Sequence, residues 1–337
     1  MQYSIPVSYP VITSYPPYAA QLTLTDEFLK SPFQNDYLNW FILQYSNIVL
    51  YTNEHYNGMI LFDDIFHTNM LHDSLDSDLL WSEMYSGTQM LRENISFSSF
   101  VIDELRRGYA LFLYLNFRYF PLLDYPEDYN HEVLITGYDE DTDAFTVYGF
   151  YNGQKYNFTI VPRDLLDQSF STFAQLNNEQ NTEDKSTTIR CYKRKNEINI
   201  PIDYHALHFL VERWLNGRVL GDLAYGKQCY NFLLEWLSSA PERIDLRSLH
   251  LLYDHKRGLK RTCSYIQKCG IDLSPSFFED IDKLIHESFL LRYIKLKEMM
   301  AGTTACNSTM GQRIKRIQET EEKVFLELER KLRNNFS

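Results

Sequence analysis

The stretch Tyr129-Asn130-His131-Glu132-Val133-Leu134-Ile135-Thr136-Gly137-Tyr138-Asp139-Glu140-Asp141-Thr142-Asp143-Ala144-Phe145-Thr146-Val147-Tyr148-Gly149-Phe150 decides how the chain reads. A β-rich apolar run, a cluster of turn formers and a second β-rich run predict a hairpin. The strands fall at residues 131–138 and 144–150, and the acidic turn lies between them. A histidine therefore opens a buried strand, where a positioned imidazole can act as a general base.

More strands flank this hairpin. Residues 109–115 are continuously apolar and aromatic, as in a strand buried on both faces. Residues 155–161 form another, entered through the tight-turn pair Asn152-Gly153. Residues 98–107 read as a short helix stopped by Gly108, and a further helix starts at Arg163. Residues 35–51 are apolar at helical spacing, residues 59–66 suit a strand, and residues 74–94 read as helical or irregular. Residues 1–24 carry Pro6, Pro10, Pro16 and Pro17, which predict an extended arm over the domain. Residues 176–188 are polar and read as a linker, and residues 190–195 as a basic patch. After Asp203 the pattern is helical throughout, over 204–215, 225–238, 246–269, 275–300 and 310–332. The expected fold class is α+β, with an α+β domain over residues 1–195 and an all-α helical bundle over 196–337.

The 337 residues carry a net charge of -12, which argues against nucleic acid, because phosphate binding needs clustered Lys and Arg. Residues 1–200 hold 27 acidic and 12 basic residues against 18 and 21 in the remainder, an asymmetry that suits two domains. With 25 Tyr and 22 Phe, strands and large interfaces are favoured, and an oligomer-forming protein, a homodimer in the simplest case, is one expectation. The start of the chain lacks the pattern of a signal peptide, and no apolar run nears the ~20 residues of a membrane span. The cysteines are Cys191, Cys229, Cys263, Cys269 and Cys306, with no metal-site spacing, so reduced thiols in a cytoplasm are expected.

Metal motifs fail on inspection. Asp139, Asp141 and Asp143 begin a calcium-loop pattern, but Ala144 and Phe150 stand where Gly and Glu are required. His131-Glu132 begins a zinc-protease pattern, but Ile135 stands where the second His belongs. His205 and His208 lie on one helical face and read as surface residues. No cofactor is expected.

The region from Gly108 to Phe170 resembles the cysteine-peptidase-like domain of the butirosin biosynthesis protein H family. More distantly, it resembles the peptidase domains of bacteriocin-exporting transporters. The resemblance rests on the strand over residues 111–115, the H-x-V-L-I-T-G-Y-D-E run from His131 to Glu140, and the entry into Phe145-Thr146-Val147-Tyr148. Tyr225-Gly226-x-x-x-Tyr230 and Leu249-x-x-Leu252-x-x-x-Lys256-x-x-x-x-Arg261 look like that family's helical second half. The resemblance implies a papain-like cysteine-protease-type domain. In such a domain a thiol at a helix start is activated by the downstream histidine and transfers an acyl group from a carrier protein to an amine.

The chain departs from that pattern. No cysteine precedes Cys191. Tyr37 stands where the thiol is expected, and a phenol with an ordinary pKa near 10 is a poor substitute. Gly149-Phe150 occupy the place of the Asp or Asn that would orient the imidazole, with Asn152 nearby. The candidate site residues are therefore His131, Tyr37 and Asn152. The leading expectation is an accessory protein of bacterial peptide or natural-product biosynthesis, a pseudoenzyme binding an acyl or peptidyl carrier protein or its intermediate. The alternative is an acyltransferase or amide-forming enzyme with His131 as general base.

Overall fold

The computed structural model describes residues 2–53, 58–63, 75, 77–121, 123, 127–151, 155–179, 187–302 and 307–336. Along the chain run β1 (Gln2–Ser4), α1 (Pro16–Thr25), α2 (Gln34–Tyr45), β2 (Ile48–Tyr51), β3 (Ile60–Phe62), β4 (Leu80–Ser86), α3 (Gly87–Arg92) and α4 (Phe97–Arg106). Then come β5 (Ala110–Asn116), β6 (Asn130–Asp139), β7 (Ala144–Tyr151), β8 (Lys155–Pro162), α5 (Arg163–Glu179) and β9 (Thr188–Arg194). The remainder holds α6 (Tyr204–Asn216), β10 (Arg218–Leu220), β11 (Leu223–Tyr225), α7 (Gln228–Ser239), α8 (Leu246–Lys268), α9 (Pro275–Ala301) and α10 (Asn307–Phe336). The chain is mixed α+β and divides into two compact units.

The first unit comprises Met1–Phe33 and Asn69–Ile198. Its antiparallel sheet runs β4-β9-β5-β6-β7-β8. β6 pairs with β5 up to Ile135, slips register against β7 between Ile135 and Gly137, and then takes β1 as its second partner. Alternation puts Leu111, Leu113, Leu115, Val133, Ile135, Phe145 and Val147 on one face. There they join Val101 and Leu105 of α4 and Leu166 and Phe170 of α5 in a single core. Phe97 stacks on Phe170 at 3.9 Å to anchor the α4 entrance.

Three elements differ from the sequence reading here. The proline-rich start is no extended arm throughout: α1 begins with Pro16 and Pro17 in its first turn. Proline costs nothing there, because those N–H groups have no partner inside a helix anyway. The basic patch at residues 190–195 belongs to β9, whose buried Ile189, Cys191 and Tyr192 hold it between β4 and β5. β4 takes the place of the helical or irregular reading over Leu80–Ser86 within residues 74–94, and the Oγ of Ser86 caps α3, which is helical as read.

The second unit comprises Gln34–Thr68 and Asn199–Ser337. Residues 34–68, grouped with the front by sequence, are tied to the back by specific bonds. Asp36 accepts from the Ile200 N–H at 2.8 Å, Asn39 donates to the Ile200 carbonyl at 2.7 Å, and Asn47 donates to the Leu210 carbonyl at 3.0 Å. β2 also pairs with β11. This unit is not all-α, as expected from sequence: a four-stranded sheet, β10-β11-β2-β3, accompanies its helices. The helix expected over residues 35–51 ends at Tyr45, and its tail becomes β2.

Candidate functional site

His131 is the second residue of β6, and its cross-strand neighbour is Leu115. Glu132 faces Tyr114 in the same register, a pairing that brings two side chains within reach across a sheet. The Tyr114 hydroxyl donates to Glu132 Oε1 at 2.9 Å. His131 Nδ1 lies 3.1 Å from Glu132 Oε2. A carboxylate accepts only, so it is Nδ1 that carries a proton toward Glu132. Burial pushes the Glu132 carboxyl up, but hydrogen bonds from His131 and Tyr114, together with the His131 charge, outweigh it and hold the group below its ordinary range. Glu132 is therefore an anion at neutral pH, held against the imidazole it orients.

The imidazole sits among aromatic rings. Phe117 stacks on it at 5.6 Å and 18°, Tyr129 stands 5.7 Å away, and Phe150 stands 6.3 Å away. The His131 side chain stays 20% exposed, so it is reachable from solvent. Buried Asn116 builds this setting from below. Its Oδ1 accepts from the Arg118 and Tyr129 N–H groups at 3.1 and 3.3 Å, and its Nδ2 donates to Asp128 at 2.9 Å. The Phe117 N–H donates to the Tyr129 carbonyl at 2.8 Å, closing the β5–β6 connection at its base.

The three candidate residues fare differently. His131 has the surroundings of an oriented base. Tyr37 lies on α2 in the second unit, with none of its surface exposed. Its hydroxyl accepts from Arg261 at 2.9 Å, and its ring packs against Trp40 and Phe41. Those contacts make it a core residue of the helical unit. Asn152 lies outside the described residues. Glu132, which the sequence reading used only to reject a zinc motif, takes the orienting position instead. Its pairing with Tyr114 was the available signal, once the register of the two strands is known. Asn116, at the end of β5, was missed because its role depends on a loop closure thirteen residues on.

The described residues of the first unit hold no exposed thiol. Its cysteine, Cys191, is buried, and burial pushes the thiol well up from its ordinary value. Cys229 and Cys263, in the second unit, are buried and raised for the same reason. Such thiols are poor nucleophiles, since the thiolate is the reactive form.

A second cluster lies wholly inside the helical unit. Lys256, His255, Tyr230 and Glu321 have no exposed surface. Lys256 Nζ donates to Glu321 Oε1 at 2.5 Å, to the Tyr230 hydroxyl at 2.7 Å and to His255 Nδ1 at 2.9 Å. That uses all three of its protons. His255 Nε2 lies 2.9 Å from the Ser46 carbonyl, so Nε2 carries the imidazole proton and Nδ1 accepts from Lys256. Tyr230 in turn donates to Glu321 Oε2. Burial, and then the Lys256 charge, push His255 well below its ordinary pKa and keep it neutral, against the opposing Ser46 bond.

No protein-family model matches the sequence, and no curated protein shows significant similarity to it. Among the described residues, no helix is long and apolar enough to cross a membrane.

Proposed function

We propose that the chain is an accessory protein of bacterial peptide or natural-product biosynthesis, with a degenerate acyltransferase-like, papain-like first unit. In this reading it binds a carrier-bound acyl or peptide intermediate without forming a covalent adduct. The observation that supports it is the oriented, solvent-reachable His131 with its Glu132 and Tyr114 partners, in a unit whose described thiol is buried and raised. Tyr129 and Phe150 offer apolar surface to an acyl chain, and the imidazole offers a hydrogen bond to a thioester or amide carbonyl.

A second reading draws on the same Glu132 contact. An imidazole whose Nδ1 proton is held by a carboxylate presents a basic Nε2. A base so placed contributes roughly 10²–10⁴-fold to a reaction between a thioester and an amine. His131 Nε2 would take the proton of the attacking amine, and the thiolate of the carrier arm would leave.

Incubation with an acyl-pantetheine thioester and a primary amine separates the two. The accessory reading expects an unchanged intact mass and no amide above the rate of the His131→Ala variant. Amide formation lost in His131→Ala would establish the enzyme, and a mass gain of one acyl group would overturn the non-covalent proposal.

A further inference from the structure

His208, Glu212 and Glu329 converge in the helical unit, apart from the His131 site. His208 and Glu212 are one turn apart on α6, and Glu329 comes from α10, which packs against it. One donor atom from each lies within 4.8 Å of the others. His208 Nδ1 is 3.9 Å from Glu212 Oε2, and His208 Nε2 is 3.7 Å from Glu329 Oε1. Those separations are too long for hydrogen bonds.

His208 Nε2 is shielded from solvent and makes no hydrogen bond among the described residues, whereas Glu329 Oε1 is engaged by Arg333. Buried polar atoms rarely go without a hydrogen bond, so the His208 nitrogen, which faces a carboxylate across a gap, calls for an explanation. Two ligand atoms on a tetrahedral zinc ion, at bonds of about 2.0–2.2 Å, stand roughly 3.3–3.6 Å apart. The gap between His208 and Glu329 needs to close by only a few tenths of an ångström to meet that value. Arg333 forms an ion pair with the same Glu329 oxygen, but its side chain is 67% exposed and free to swing outward. Glu212 is 45% exposed and adjusts as easily.

We propose that His208, Glu212 and Glu329 bind a first-row divalent cation of the zinc type, clamping α6 to α10 and leaving one coordination position to water. One imidazole and two carboxylates suit Zn²⁺ and Co²⁺, and they lack the thiolates that would favour softer ions. The inference is independent of the His131 reading.

The test uses the full chain, stripped with chelator and titrated with ZnCl₂ by calorimetry and with CoCl₂ by absorption. The expected result is one equivalent bound and Tm raised by about 5 °C or more when free Zn²⁺ stands ~100-fold above Kd. His208→Ala and Glu329→Gln each weaken binding at least about tenfold. Should either variant misfold, Glu212→Gln at the exposed ligand carries the same expectation. The proposal is overturned by no Zn²⁺ binding at millimolar concentration or by undiminished binding in the folded variants. A thiolate-to-cobalt charge-transfer band, which would assign the ion to cysteine, overturns it as well.

Discussion

The first unit sets His131 beside Glu132 and Tyr114, and the second sets His255 beside Glu321 and Tyr230 with Lys256 at the centre. The side-chain types are nearly the same, yet their surroundings differ. His131 keeps one nitrogen uncommitted to Glu132 and a fifth of its side chain in solvent. His255 spends both nitrogens on protein partners and has no exposed surface. A satisfied and solvent-free network specifies packing, whereas an oriented and reachable one can meet a ligand. Residue type alone does not distinguish the two; register and burial do.

Removing the central cation should give the largest effect. Lys256→Met strands Glu321 as a buried anion, and unpaired buried charges cost about 3–5 kcal/mol. Urea unfolding of the variant should show that loss, and a loss below ~1 kcal/mol would mean that the cluster is hydrated. The pH dependence of the same cluster comes next. Burial depresses His255 below its ordinary value of 6.5, so its contribution is fully present above pH 6.5 and is lost as the pH falls below it. Stability measured from pH 7 to pH 5 should drop by up to about 1.4 kcal/mol per unit from this group, and His255→Gln should flatten that slope.

Tyr37 sharpens the contrast from the other side. Tyr37→Phe removes an acceptor for Arg261 and should cost about 1 kcal/mol of stability, leaving binding at the His131 site unchanged. A binding defect at full stability would return Tyr37 to the functional site. The smallest stability effect belongs to Glu132. Its carboxyl is held below 4.5, so its contribution is present above that pH and lost as the pH falls through the lowered value. Glu132→Gln should therefore leave neutral-pH stability within about 1 kcal/mol of wild type and make the acid limb of the unfolding profile shallower.

The sequence reading located several of these features and missed others for identifiable reasons. The strand placing His131, its hairpin partner and the two neighbouring strands follow from apolar runs and turn residues, and β5 to β8 lie where those patterns put them. α1 escaped because prolines were weighed as helix breakers without regard to position, although the first turn accepts them. β9 escaped because Arg190, Lys193 and Arg194 masked the buried residues between them. The membership of residues 34–68 in the helical unit rests on bonds to Ile200 and Leu210, more than 160 positions away, which no local pattern reveals. Glu132 escaped because adjacent strand residues are expected on opposite faces.

The most direct test of the account is a calorimetric titration of acyl-pantetheine into wild type and His131→Ala, with Tyr37→Phe as a folded control in the helical unit. The account predicts stoichiometric binding to wild type and to the control, and a loss of about tenfold or more in His131→Ala, roughly the worth of one hydrogen bond to a charged or strongly oriented partner. Equal affinity in wild type and His131→Ala would contradict it.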